Sequence, residues 1–266
     1  VTGMTRLEWI ILQRGMFVFL GLGLVMLAMG MMPRLSERAG VTWKVRAGGW
    51  TFLLIGILFG GAYYGIFHEI NNRRDLYRDV FEKYAEVKGG HVKAHNIYFR
   101  QEGDKIMGVS DLVVTNVGVQ SLAHPVLYLN PGLEVTALTG EQGENLSYTR
   151  ESQAILLEKA LQPGEEILLH LVYEGKIDEA ICFPDFTNEE FHDTRLMSFF
   201  QTYHSMFRHG RCFARVGDDY TLLFPECLWY PVAVSPVNVS APLARQYDFT
   251  RYRLKVGDIG ERVAIS

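Results

Sequence analysis

Cysteine is scarce in this sequence, and what there is lies in the second half: Cys182, Cys212 and Cys227. None forms a C-x-x-C pair and no histidine stands at zinc-finger spacing from them, which excludes a structural zinc finger. In an oxidising compartment these thiols allow one disulfide and one leftover thiol, with the pairing open. Buried free thiols acting as small apolar side chains are the equal alternative. A basic excess is lacking too. The 26 Lys and Arg against 30 Asp and Glu leave a formal charge of −4, which offers no footprint for nucleic acid. No glycine-rich phosphate loop occurs, so ATP hydrolysis would need another chain, and no Gly-x-Ser-x-Gly elbow exists to carry a serine nucleophile.

A further absence is local. Gly15 to Met32 reads GMFVFLGLGLVMLAMGMM without one charged residue. With the lead-in Trp9 to Leu12 it is long enough for a bilayer core of about 30 Å. Ala47 to Phe67 reads AGGWTFLLIGILFGGAYYGIF, also uncharged, with Trp50, Tyr63 and Tyr64 near its ends, as interfacial aromatics would be. Two such runs seldom share a soluble core, and the first is too long for a cleaved signal peptide. Gly56, Gly60 and Gly61, with Gly65, put small residues on one side of the second run, a candidate contact for other membrane helices; the other explanation is that glycine is simply common in membrane helices.

The connector, 33–46, carries Arg34, Arg38, Lys44 and Arg46 against Glu37. Short loops rich in Lys and Arg stay cytoplasmic, which places the N-terminus and everything after Phe67 outside. Arg73, Arg74 and Arg78 count against that orientation, interleaved with Glu69, Asp75 and Asp79. An outside start without a signal suggests that Val1 is not a biological start, with upstream helices expected.

Beyond the hairpin (1–68), residues 69–90 carry mixed charge with Leu76, Val80, Phe81 and Tyr84 at helical spacing. They predict a short amphipathic stalk, broken at Gly89-Gly90. From 91 to 266 the period becomes alternating. Strands are expected at Val92–Arg100, Lys105–Thr115, Val126–Leu129, Leu133–Leu138, Ala154–Leu157, Glu166–Tyr173, Tyr220–Phe224 and Asp248–Val256, separated by turn residues such as Asn130-Pro131-Gly132 and Gln162-Pro163-Gly164. That rhythm predicts an all-β, antiparallel β-sandwich, with a helical insertion over Asn188–Phe207. The expected class is therefore a membrane helical hairpin plus an extracytoplasmic β-sandwich.

Four segments carry a family resemblance in order: Tyr128-Leu-Asn-Pro-Gly-Leu-Glu-Val135, Leu146-Ser-Tyr-Thr-Arg150, Leu161-Gln-Pro-Gly-Glu165 and Val172-Tyr-Glu-Gly-Lys-Ile177. Together they resemble the N-terminal β-domain of M1-family (gluzincin) aminopeptidases. The later stretches Leu223-Phe-Pro-Glu-Cys-Leu-Trp-Tyr-Pro-Val232 and Asp248-Phe-Thr-Arg-Tyr-Arg-Leu254 look like a bacterial branch in which an ABC-type permease is fused to an extracytoplasmic M1-like peptidase. The resemblance implies a bacterial inner membrane, a periplasmic β-domain and a catalytic peptidase domain as partner. It also marks a departure. M1 enzymes hold zinc through His-Glu-x-x-His and use a Gly-x-Met-x-Asn strand. Here His68-Glu69 is followed by Ile70-Asn71-Asn72, and no Gly-x-Met-x-Asn occurs. Without histidines at i and i+4 the ligand pair is missing, so no catalytic, metal or cofactor residue is assigned, and peptidase activity would require a domain beyond Ser266.

Other clusters carry less. His192, His204 and His209 lie near Cys212, Glu189 and Glu190, in a spacing that matches no ligand pattern; a solvated helix face is the simpler account. Two helices with an outer β-domain also describe subunit II of haem–copper oxidases. Its dinuclear copper centre needs two cysteines four apart, which Cys212 and Cys227 are not. Glu226-Cys-Leu-Trp229-Tyr230-Pro231 is the densest aromatic motif. It is expected to pack a strand end on the core, or else, through Glu226, Trp229 and Tyr230, to face a partner. The functional expectation is a non-catalytic, membrane-anchored scaffold for a peptidase cleft. The alternative is an accessory subunit of a larger membrane complex.

Overall fold

The structure, a computed structural model, describes residues 7–32, 39–84, 87, 90–182, 184, 187–188, 214–217, 220–234 and 250–257. The chain divides into two compact units, Val1–Asn72 and Arg73–Ser266.

The first unit holds α1 (Leu7–Met31) and the leading part of α2 (Ala39–Tyr84). Both helices are long and apolar enough to cross a membrane, and almost none of their apolar stretches is buried. Phe17, Leu24, Val25, Leu54, Ile57 and Leu58 are all exposed. The two helices pack antiparallel through glycine. A Cβ built on Gly49 would lie 2.8 Å from the Leu27 side chain and 3.1 Å from the Gly23 carbonyl oxygen. The backbones come this close only because neither position carries a side chain. Phe19 fills the space beside them, with ring centroids 5.9 Å from Phe52 and 5.4 Å from Phe59.

In the second unit the end of α2, from Arg73 to Tyr84, lies on the β-domain. Its buried face is Arg74, Tyr77, Val80 and Tyr84. The expected stripe is corrected at Leu76, which is 54% exposed. One residue from Tyr77, it stands about 100° round the helix and misses the sheet.

The strands are β1 (His91–Glu102), β2 (Lys105–Thr115), β3 (Val126–Tyr128), β4 (Leu133–Thr139), β5 (Tyr148–Glu151), β6 (Ala154–Leu157), β7 (Glu166–Gly175), β8 (Arg215–Val216), β9 (Thr221–Leu222) and β10 (Arg251–Val256). A five-stranded sheet has the order β10-β1-β2-β7-β4, a three-stranded sheet the order β3-β6-β5, and β8-β9 form a ribbon. Among the described residues all strand pairings are antiparallel except β1 with β10, which is parallel. The large sheet is therefore mixed, not wholly antiparallel as expected. The alternation read from the sequence is visible in β7, where Ile167, Leu169, Leu171 and Tyr173 point inward. With Leu112 and Val114 of β2, Leu127 of β3, Leu138 of β4 and Ile155 of β6 they form one apolar core shared by both larger sheets.

Two short strands have no counterpart in the expected set. β5 is polar (Tyr-Thr-Arg-Glu) and turns into β6 through Ser152, held at φ 53° where a glycine would normally announce the turn. β8 has only two residues. The expected helical insertion falls, apart from Asn188, outside the described residues, as do Cys212, His192, His204, His209, Glu189 and Glu190.

Candidate functional site

Asn130 is the centre of the polar interior. It is 0% exposed, and both ends of its side-chain amide are saturated. Its Oδ1 accepts from the backbone N–H of Gly132 and of Asp178, each at 2.9 Å. Its Nδ2 donates to the carbonyls of Cys227 at 2.6 Å and Asp178 at 3.0 Å. Its own N–H donates to Leu228 O at 2.9 Å. One side chain thus ties the β3–β4 turn to the segment after β7 and to the turn at Pro225–Cys227. The arrangement demands glycine nearby: a Cβ on Gly132 would stand 2.0 Å from Lys176 O, and one on Gly175 2.2 Å from Gly132 O. Gly175 also sits at φ 148°, a conformation L side chains rarely adopt.

Asp178 extends this hub to the helix. Its carboxylate accepts from Arg73 at 2.8 Å, from the Tyr77 hydroxyl at 2.7 Å and from the Ala180 N–H at 2.9 Å. Burial first, then the bond to Asp178, pushes the Tyr77 phenol well above its usual value. Arg74, only 3% exposed, donates to Cys182 O at 2.6 Å, Ala180 O at 3.3 Å and Asn188 Oδ1 at 3.2 Å. Gln153 donates to Tyr77 O at 2.7 Å, and Tyr128 to Tyr84 O at 3.3 Å. On the other side Arg150 donates to the carbonyls of Leu133, Asn130 and Ser152; burial lowers its pKa, the cost of taking a guanidinium out of water. At the surface, Lys83 and the Tyr84 hydroxyl both reach Glu151 Oε2 at 2.6 Å. The Lys83 bond is the main reason that carboxyl is held below its usual range.

The aromatic motif takes a different role. The segment from Pro225 to Val234 is stitched to β3 by the Tyr128–Val232 bridge and turns at Leu228, held at φ 53°. Trp229 stands edge-on to Phe99, centroids 5.7 Å apart, and packs on the core. Tyr230 meets His95 at 5.5 Å and Tyr252 at 5.9 Å. Glu226 belongs to the 3-10 turn and accepts from Cys182 Sγ at 3.8 Å through its carbonyl. Cys182 and Cys227 are both buried. In the hairpin, Gly56 and Gly60 face Leu20 and Met16 of α1, whereas among the described residues nothing lies within 4 Å of a Cβ on Gly61 or Gly65.

His95, Tyr230 and Tyr252 enclose a pocket of about 110 Å³ with Leu228, Pro231 and Val234 among its walls. His95 is 1% exposed, and among the described residues its Nε2, itself enclosed, has no hydrogen-bond partner. Burial takes its pKa down to about 3, so the ring is neutral at neutral pH. A buried polar group left unpaired costs roughly 1–3 kcal/mol. Nothing in the sequence around His95 distinguishes it; only the fold brings the tyrosines to it.

Among the described residues no group of three or more His, Cys, Asp or Glu could hold a metal ion. His68 stacks on Tyr64 at 6.0 Å and its Nε2 pairs with Asn72 Nδ2 at 3.3 Å. The zinc of an M1 enzyme has no fitting donor set there.

No family model and no curated protein matches the chain. Among solved structures it is similar to an M1 zinc metallopeptidase from Deinococcus radiodurans, at 23% identity over 35% of this chain and 22% of that one, with a TM-score of 0.31. The same values hold for a mutant of that peptidase bound to the substrate Tyr-Ser-Ala. A leukotriene A4 hydrolase from Saccharomyces cerevisiae matches at 10% identity over 34% of this chain and 15% of that one, TM-score 0.28. The chain thus spans about a fifth of the bacterial peptidase's length, and a likeness this partial says nothing of catalysis.

Proposed function

We propose that this chain is a membrane-anchored β-domain of an M1-like peptidase, non-catalytic in itself, that braces one wall of a peptide-binding cleft formed with a zinc-bearing domain. The observation that carries this reading is where the family-like segments fall. Asn130, Gly132, Arg150 and Gly175 all meet at one hub that sets the fold, and Gly164, at φ 78°, makes a turn. These positions build a scaffold and leave the chemistry to another domain. The exposed apolar surface of α1 and α2 supports anchoring, since in water it would be an aggregation site.

In its finer form, the hairpin ends an ABC-type permease, with the connector 33–46 in the cytoplasm and the β-domain in the periplasm. The arginines that opposed this orientation have work elsewhere: Arg73 pairs with Asp178, Arg74 is buried among carbonyls, and Arg78 faces Asp75 and Glu82. The accessory-subunit alternative rests on the lack of metal donors alone.

The test is the intact mass and peptide map of the native protein from carbonate-washed, solubilised membranes. A mass of ~100 kDa or more, as added domains require, together with a His-Glu-x-x-His peptide, is expected. A mass near 30.3 kDa with no zinc-bearing partner would replace the peptidase scaffold by the accessory subunit. Release by carbonate would end the anchor.

A further inference from the structure

Arg46 stands where the two apolar helices meet near their connector, and a glycine makes room for it. A Cβ on Gly30 would lie 2.8 Å from Arg46 Cγ, so the arginine stem crosses α1 only because position 30 carries no side chain. Its Nε donates to Gly30 O at 2.8 Å, in the last turn of α1, where carbonyls lack helical partners. That bond uses one of the five N–H groups of the guanidinium. Arg46 is exposed, and among the described residues its Nη1 and Nη2 have no partner. One edge of the planar group is fixed on backbone, and the terminal fork remains for an acceptor. Such a fork binds two oxygens of a phosphate at once.

The helix surface beside Arg46 is aromatic first and aliphatic beyond. Trp43 and Trp50 stand three and four residues away, neighbours on a helix surface, and both are exposed. Leu54 and Ile57 continue the same side of α2 at spacings of four and three, again exposed. At 1.5 Å per residue Ile57 lies roughly 16 Å from Arg46 along the axis, about the depth of one leaflet. Indole rings suit the level between, apolar over most of their surface with one N–H donor. A donor fork followed by an apolar track of that depth outlines a phospholipid from phosphate to acyl chain. The connector supplies the sign of the head group. Arg34, Arg38, Lys44 and Arg46 stand against Glu37, which favours a net negative head group over one whose phosphate is balanced by an ammonium.

We propose that Arg46 is the head-group site of an anionic phospholipid, its phosphate on the Nη1 and Nη2 fork and one acyl chain along Trp50, Leu54 and Ile57. This rests on the membrane reading of α1 and α2, and not on the peptidase reading. A free phosphate ion would meet the fork but leave the apolar track unused.

The experiment is native mass spectrometry of the full chain released from nanodiscs that contain phosphatidylglycerol and phosphatidylcholine in equal amounts. Preferential retention of phosphatidylglycerol is expected. Arg46→Gln should lower that retention roughly tenfold, the loss of hydrogen bonds to a charged group. Arg46→Lys keeps the charge without the planar fork and should lose most of the same preference. Gly30→Leu keeps every charge but displaces the arginine stem, and should behave like Arg46→Lys. Lys44→Gln removes an equal charge two residues away and should cost far less. Excess inorganic phosphate should leave the lipid bound; complete displacement would mean that the apolar track is idle and would overturn the assignment to a lipid. Equal retention of the two lipids, or a fall with Lys44→Gln as large as with Arg46→Gln, overturns the proposal, since either describes diffuse attraction. Carbonate washing of the same membranes separates the two failures. A protein that resists carbonate but prefers neither lipid keeps the anchor and loses the site; one that carbonate releases loses both.

Discussion

The two units hold together by opposite means. In the hairpin, glycine lets two backbones approach and the aromatic rings beside them fill what is left; one polar contact, Arg46 to Gly30 O at 2.8 Å, joins the two helices near their connected ends. In the β-domain an apolar core lies between the sheets, and a saturated polar hub fixes the loops above it. If the hairpin lies in a membrane, as proposed above, the contrast follows from the surroundings. Where the outer surface is as apolar as the interior, burial gains little and close packing has to serve. Where water lies outside, burial drives folding and the hub supplies direction.

The contrast can be broken hardest at Asn130. Asn130→Ala strands two backbone N–H groups and two carbonyls, and should lower the β-domain's stability by about 3–5 kcal/mol. Urea unfolding followed by Trp229 fluorescence reads this directly, the other tryptophans being Trp9, Trp43 and Trp50 in the hairpin. A loss below about 1 kcal/mol would mean that the hub follows the fold rather than sets it.

His95 gives the next effect, through pH. The unfolded imidazole protonates below about 6.5, whereas the folded one resists until about 3. Between those values the unfolded state holds more protons, so stability falls as pH falls, by up to about 1.4 kcal/mol per pH unit. His95→Phe should flatten that limb of the curve, measured as the urea midpoint from pH 7 to pH 4.

Gly49→Ile tests the hairpin. The added side chain meets Leu27 and the Gly23 carbonyl, and overpacking of this kind costs about 1–3 kcal/mol. Gly61→Ile, with open space around it, should cost nothing within the hairpin. Cross-linking of cysteines replacing Phe19 and Phe52 should drop with the first variant only. A fall with Gly61→Ile would place Gly61, too, between the two helices.

The smallest effect is expected at Glu151. Its carboxyl is held low by Lys83 and Tyr84, so the pair stabilises above the ordinary carboxylate pKa and is lost as pH falls through the lowered one. The ions are exposed, and added salt should erase most of the difference between the protein and its Glu151→Gln variant.

Much of this contrast is legible in the amino-acid sequence alone. The uncharged runs mark the helices, and two-residue alternation marks β1, β2 and β7, because burial on one face leaves its period in the sequence. β5 escapes because its residues are polar and its turn is Ser152. Leu76 misleads because composition without phase cannot say which side of a helix meets the sheet. The parallel pairing of β10 is not legible, since alternation carries no direction. The hub is half visible: Asn130-Pro131-Gly132 reads as a turn, but an amide that serves four partners looks, in sequence, like any other turn asparagine. The His95 pocket leaves no signal, its three rings being brought together by pairing alone.

The ladder between β1 and β10 sets a schedule for the growing chain. β1 is the first strand of its domain to be synthesised and β10 the last of those described, so one edge of β1 stays unsatisfied until nearly everything between them has emerged. Closing so long a loop is slow, and an open edge is the feature by which nascent chains stick to one another. A ribosome pausing before Arg251 would therefore hold this domain at its most adhesive moment.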